Sequence, residues 1–205
     1  MRILYITLIL VFGDQITKFL VKGINLNILG FSLNFTGMGY GTSIPIIDNL
    51  FLITFIENPG MAFGMEFGGR LGRSLFTIVA SILIIYFIYI NRKESYYLRL
   101  SLSFILAGAL GNLLDRTFYG IIYDYAPLFQ GKVVDFLQIN IPDVTILGRT
   151  FTSWPIFNLA DMYVTVGFLM IIFGYKKVFH KKVKEQIVEE DNINKISKEE
   201  EKYFQ

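Results

Sequence analysis

Four aspartates, three asparagines and an arginine carry the chemical possibilities of this sequence: Asp14, Asn58, Asn112, Asp115, Arg116, Asp135, Asn158 and Asp161. The 205 residues include no cysteine, which removes disulfides, thiolate metal sites and a cysteine nucleophile. The single histidine, His180, lies in a lysine-rich segment after the last apolar run, which argues against a Ser-His-Asp triad or a histidine-based metal site. Carboxylates, hydroxyls, lysines and arginines remain. Two neighbouring carboxyls cannot both ionise cheaply, so they share a proton. One can then act as base on a water while the other polarises a carbonyl, and a peptide bond is the natural target.

Spacing groups these residues further. Asn158 and Asp161 stand three apart, Asn112, Asp115 and Arg116 fall at i, i+3 and i+4, and so do Asp14, Thr17 and Lys18. On a helix each set shares one face. Lys18 either pairs with Asp14 and snorkels outward together with Lys22, or belongs near the site.

The elements that must hold these groups are membrane spans. The chain is 53% hydrophobic and 18% charged, with a mean hydropathy of +0.50, which suits a multi-span membrane protein. Apolar runs predict four transmembrane helices over about 3–22, 74–90, 98–114 and 156–175, the last with Pro155 at its start, where a missing N–H costs nothing. Only Arg2 precedes the first run, and Asp14 and Lys18 follow where a cleavage site would need small residues, so a retained span is expected. Gly108 and Gly111 let a neighbouring helix approach closely. Residues 23–70 break the membrane pattern. Phe51–Ile56 reads as a strand running into a Pro-Gly turn, and Phe55, Phe63 and Phe67 would make an aromatic surface at the membrane face. Residues 117–154 form a second external segment, and 178–205 a charged, solvated cytoplasmic tail. Basic residues flank one side of the spans, which places both termini in the cytoplasm. All eight residues named at the outset then land at the outer membrane boundary, at one depth. Acids inside membrane segments are expensive, and gathered at one depth they mark a site.

Five stretches, in this order, make the sequence resemble the lipoprotein signal peptidase (signal peptidase II) family: Asp14-Gln15-Ile16-Thr17-Lys18, Asn58-Pro59-Gly60-Met61-Ala62-Phe63-Gly64, Gly108 to Arg116, Val133-Val134-Asp135-Phe136 and Phe157-Asn158-Leu159-Ala160-Asp161. The resemblance implies an α-helical membrane protein with four transmembrane helices, a small external β-cradle and periplasmic-side loops. It implies a metal-independent aspartic endopeptidase of the bacterial inner membrane, without cofactor or nucleic-acid partner and monomeric. Such an enzyme removes signal peptides from prolipoproteins just before a diacylglyceryl-modified cysteine and is sensitive to globomycin-type cyclic peptides. By motif, Asp135 and Asp161 match the catalytic pair, and Asn58, Asn112, Arg116 and Asn158 match substrate-binding positions. Asp14, Lys18, Asp115, Gly60 and Phe63 match supporting positions, with Asp115 and Asp14 expected to be ionised and structural. The separations from Asp115 to Asp135 and from Asp135 to Asp161 are longer than is usual in the family. Two other functions use the same residues: a proton-coupled carrier, which should place acids at several depths, and a non-catalytic lipid-binding module.

Overall fold

The computed structural model describes residues 2–28, 31–60, 69–93, 95–146, 149–174 and 193. Helix α1 covers Leu4–Lys22, α2 Gly69–Ile90 and α3 Tyr96–Leu114. A π-helical turn, Asp115–Tyr119, and a short helix α4, Gly120–Ile122, extend α3 without interruption. The third apolar segment therefore runs eight residues beyond the predicted end at 114. It is long and apolar enough to cross a membrane, as are α1 and α2, whereas α5, Leu159–Phe173, is apolar but only 15 residues long. The tail beyond Gly174 and the predicted aromatic residues Phe63 and Phe67 lie outside the described residues, apart from Ile193.

Helix α3 lies among the other three and touches each. Small residues explain the position. A Cβ on Gly108 would strike the Ala160 carbonyl and the Val164 side chain of α5. Gly167 of α5 packs the same way against Ser101 and Ile105 of α3. Without a hydrophobic driving force in lipid, close backbone approach is what holds helices together. At the end remote from the polar cluster, Ile3, Ile88, Leu98, Leu102 and Leu106 form an apolar core. Thr7 Oγ1 donates to Ser103 of α3, at 3.2 Å from both its carbonyl and its hydroxyl, satisfying buried hydroxyls between helices.

The extramembrane part is antiparallel. Strands β1 (Gly23–Ile28) and β2 (Phe31–Thr36) form a hairpin. Strands β3 (Ser43–Ile47), β4 (Phe51–Asn58), β5 (Val133–Ile146) and β6 (Arg149–Ser153) form a sheet in that order. Where α1 ends, Gly23 takes a φ of 78° and its Cα lies against the backbone of Gly37, so neither position admits a side chain. The strand predicted over 51–56 is β4, two residues longer. Strand β5 continues it, with Asn58 opposite Val133 and Ile56 opposite Asp135.

Candidate active site

Two carboxylate clusters form where the four-stranded sheet meets the ends of α1, α3 and α5. The first is sealed. Lys18 Nζ lies 2.8 Å from Asp14 Oδ2 and 2.8 Å from Asp115 Oδ2, and all three side chains are fully buried. The intrahelical Asp14–Lys18 pair expected from the i, i+4 spacing is present, but Lys18 does not snorkel. It turns inward because α3 supplies Asp115 and Asn112, whose Oδ1 accepts from Nζ at 3.0 Å. Asp115 pairs with Lys18 and not with its neighbour Arg116. Each of the two acids also grips backbone: Asp14 Oδ1 accepts from Ala160 N at 3.0 Å, and Asp115 Oδ2 from Val134 N at 3.2 Å. Those amides sit one residue before Asp161 and Asp135. Gln15 joins the cluster by donating to Asp14, Asp115 and the Gly111 carbonyl, while Tyr119 donates to Gln15 Oε1.

The second cluster contains Asp135 and Asp161. The segment before α5 is held to β5 by a bridge between Leu137 and Phe157, which lays Asn158 beside Asp135. Asn158 Nδ2 donates to Asp135 Oδ1 at 2.6 Å. Asn158 is also the N-cap of α5: its Oδ1 accepts from Asp161 N at 3.0 Å, and Asp161 Oδ2 accepts from Asn158 N at 3.2 Å. This is a capping box in which aspartate replaces the usual glutamate. The helix thus starts at Leu159, and Pro155 precedes it. Asn158 and Asp161 act together as cap and partner, not as two groups on one helical face. Asn112 Nδ2 donates to Asp161 Oδ1 at 2.8 Å, and Asn58 Nδ2 to Asp135 Oδ2 at 3.0 Å.

Asp135, on β5, is 2% exposed. Burial, and then the negative charge of Asp161, push its carboxyl up from 3.8 to about 7, against the opposing pull of the Asn58 donor, Lys18 and the Asn158 donor. No lysine or arginine forms a salt bridge to Asp135 or Asp161 among the described residues. Asp161 lines a cavity of about 400 Å³ with Trp154, Phe157, Met162, Thr165 and Val166. Arg116 donates from Nη1 to Thr77 Oγ1 at 3.2 Å. Gly60, with a φ of 91°, closes the turn after β4 by donating its N–H to Asn58 Oδ1 at 2.7 Å. Phe63, matched to a supporting position, lies outside the described residues. Among the described residues, no group of three or more acidic, histidine or cysteine side chains is arranged to hold a metal ion.

Apart from Phe63, the structure brings every predicted site residue to this one region. It also adds Gln15, Tyr119, Arg73 and Thr77. Arg73 lies one residue before the span predicted over 74–90, near Arg70, so nothing in the sequence set it apart. Tyr119 gave no signal either, because the π-helical turn that aims it depends on packing.

A profile described as signal peptidase (SPase) II matches residues 6–176. A lipoprotein signal peptidase of Chlorobium phaeovibrioides is 39% identical over 142 residues, 68% of this chain and 76% of that protein. That of Pelodictyon phaeoclathratiforme is 35% identical over 67% of this chain and 75% of its own length. The Porphyromonas gingivalis protein is 32% identical over 80% and 78%. A solved structure described as a bacterial membrane enzyme superposes with a TM-score of 0.61 at 28% identity, covering 88% of this chain and 90% of that one. Carrying a family match over most of its length and the membrane fold just described, the chain belongs to the signal peptidase II family of multi-pass bacterial membrane proteases.

Proposed function

We propose that the protein is an aspartic endopeptidase that removes signal peptides from diacylglyceryl-modified prolipoproteins, cutting before the lipidated cysteine. The observation that carries this reading is the Asp135–Asp161 cluster: two carboxylates bridged by Asn158, without a salt bridge to a cation among the described residues, one of them on an apolar cavity. Near neutral pH, Asp135 holds the shared proton, since its carboxyl lies at about 7. Asp161 then takes a proton from water as the hydroxide adds to the scissile carbonyl carbon, and Asp135 donates to the carbonyl oxygen. As the tetrahedral intermediate collapses and the C–N bond breaks, Asp161 gives the proton it took from water to the leaving amine, and Asp135 takes back a proton from the hydroxyl that becomes the new carbonyl oxygen. Asn58, Asn112, Arg116 and Asn158 hold the substrate backbone and the two carboxylates where water is scarce. The reaction uses no metal or cofactor, and a monomer suffices. In this reading both termini are cytoplasmic, the site faces the outer leaflet of the inner membrane, and globomycin-type peptides inhibit.

The cavity beside Asp161 is apolar apart from that acid and Thr165, which suits a lipidated segment. Most of the gain from burying acyl chains is already made in the bilayer, so the lipid mainly sets the depth of the scissile bond. The test is steady-state cleavage of matched lipidated and unlipidated peptides by purified protein in detergent. Turnover at saturation should fall steeply without the lipid, because orientation is lost. Equal turnover would show that the lipid only delivers substrate to the membrane.

A further inference from the structure

Helix α2 reaches the site through one inward face. Arg73, in its second turn, donates from Nη2 to the Pro59 carbonyl, and its Nη1 is buried without a hydrogen-bond partner among the described residues. Its side chain lies against Gly60: a Cβ there would meet Arg73 Cδ and Cζ at 3.0 Å, and Nε closer still. One turn on, Thr77 Oγ1 donates to the Arg73 carbonyl at 2.9 Å and accepts from Arg116 at 3.2 Å.

We infer that Arg73 is a positioning residue that acts on Asp135 through Asn58. The Asn58-Pro59-Gly60 turn sets which way the Asn58 amide faces. With Oδ1 taken by the Gly60 N–H at 2.7 Å, Nδ2 is left to donate to Asp135 Oδ2 at 3.0 Å. The sheet pairing ends at Asn58 opposite Val133, so beyond it the turn's own backbone contributes only the Gly60 N–H bond to Asn58 Oδ1. Arg73 holds it from the other side, binding the Pro59 carbonyl and walling the Gly60 Cα. A planar guanidinium does both at once, whereas an ammonium on a flexible stem would do only the first.

This inference rests on Asp135 and Asp161 being the catalytic pair. The experiment is the pH dependence of kcat for the wild type, Arg73→Ala, Arg73→Lys, Asn58→Ala and the Arg73→Ala/Asn58→Ala double variant, with thermal unfolding of each. Asp135 is faced by Asp161 from α5, Lys18 from α1, Arg116 from the π-helical turn after α3, and the Asn58 and Asn158 amides. Loss of a donor to the carboxylate makes it harder to ionise, so the upper limb of the profile should move to higher pH in Asn58→Ala and in the same direction in Arg73→Ala. Arg73→Ala should lower kcat about tenfold, Arg73→Lys less, and the double variant should stay within about twofold of Asn58→Ala, because the two residues act in series. If Arg73→Ala does not fold, the same cycle is run with Arg73→Lys. Multiplicative losses, or a lowered kcat with the wild-type profile, would overturn the inference. So would full activity of Arg73→Ala. Asp135→Asn separates the two levels: if it remains active, the catalytic reading fails; if it is dead while Arg73 variants behave as wild type, only the inference fails.

Discussion

The protein contains two clusters of paired aspartates built from the same residue types, and they differ in what lies between the acids. Between Asp14 and Asp115 sits an ammonium, 2.8 Å from each, and nothing reaches water. Between Asp135 and Asp161 sits Asn158, its amide group donating to the Asp135 carboxylate and its backbone N–H to that of Asp161, and one acid borders a cavity. A cation in contact with both carboxylates ties them down, which makes a rigid fixture. Amide donors offset less of the mutual repulsion than a cation in contact does, and under the proposed function that leaves Asp135 its proton. The sealed cluster also serves the open one: through the amides of Ala160 and Val134 it anchors the residues just before Asp161 and Asp135. Through Asn112, Lys18 reaches Asp161 itself.

The largest expected effect tests which cluster is reactive. Asp135→Asn and Asp161→Asn should each lower kcat by about 10³-fold or more while the protein still folds. Turnover of the lipidated peptide and thermal unfolding, measured on the same preparations, provide the check. Should Asp115→Asn instead abolish turnover in a folded protein while Asp135→Asn does not, the roles of the clusters are reversed.

Removing the cation should act on the fold. Lys18→Met leaves Asp14 and Asp115 buried and uncompensated, a loss of about 3–5 kcal/mol. The Lys18→Met/Asp115→Asn variant keeps the charge of the cluster unchanged and should recover part of that stability. Denaturant unfolding in detergent reads both. If Lys18→Met is as stable as the wild type, the ammonium is not the fixture described here.

The smallest effect sharpens the comparison through pH. The folded-state value of Asp135, about 7, lies above its ordinary value of 3.8, so the folded state binds the proton more tightly than the unfolded one. The associated stability is complete below pH 3.8 and is lost as pH rises through about 7, by about 4 kcal/mol at most. Wild-type melting temperature should therefore fall between pH 5 and 8, and Asp135→Asn should flatten that slope. A slope unchanged in Asp135→Asn would mean that Asp135 is ionised throughout.

Much of this was open to a reading of residue types. The absence of cysteine, the isolated histidine and the acids gathered at one depth exclude most chemistries before any fold is known. Gly108 and Gly111 announce a close helix contact, because in lipid small residues have few other uses. Phe51–Ile56 announces a strand by composition. Each of these rests on a local or single-residue property: the cost of a charge in hydrocarbon, the size of a side chain, the preference of β-branched and aromatic residues for a pleated surface.

Partnership is a different kind of information, and only the tertiary structure decided it. From spacing alone, Lys18 could snorkel or turn inward; it turns inward because Asp115 and Asn112, more than 90 residues away, are brought to the same level by the packing of α1 on α3. Asn158 and Asp161 read as two groups on one helix face, yet the bridge from Phe157 to Leu137 holds the preceding chain in the sheet and makes Asn158 the cap. The burial that moves Asp135 toward neutrality likewise comes from elements remote in sequence. A buried charge announces itself through its own cost, but what offsets that cost depends on which distant segment the fold places against it.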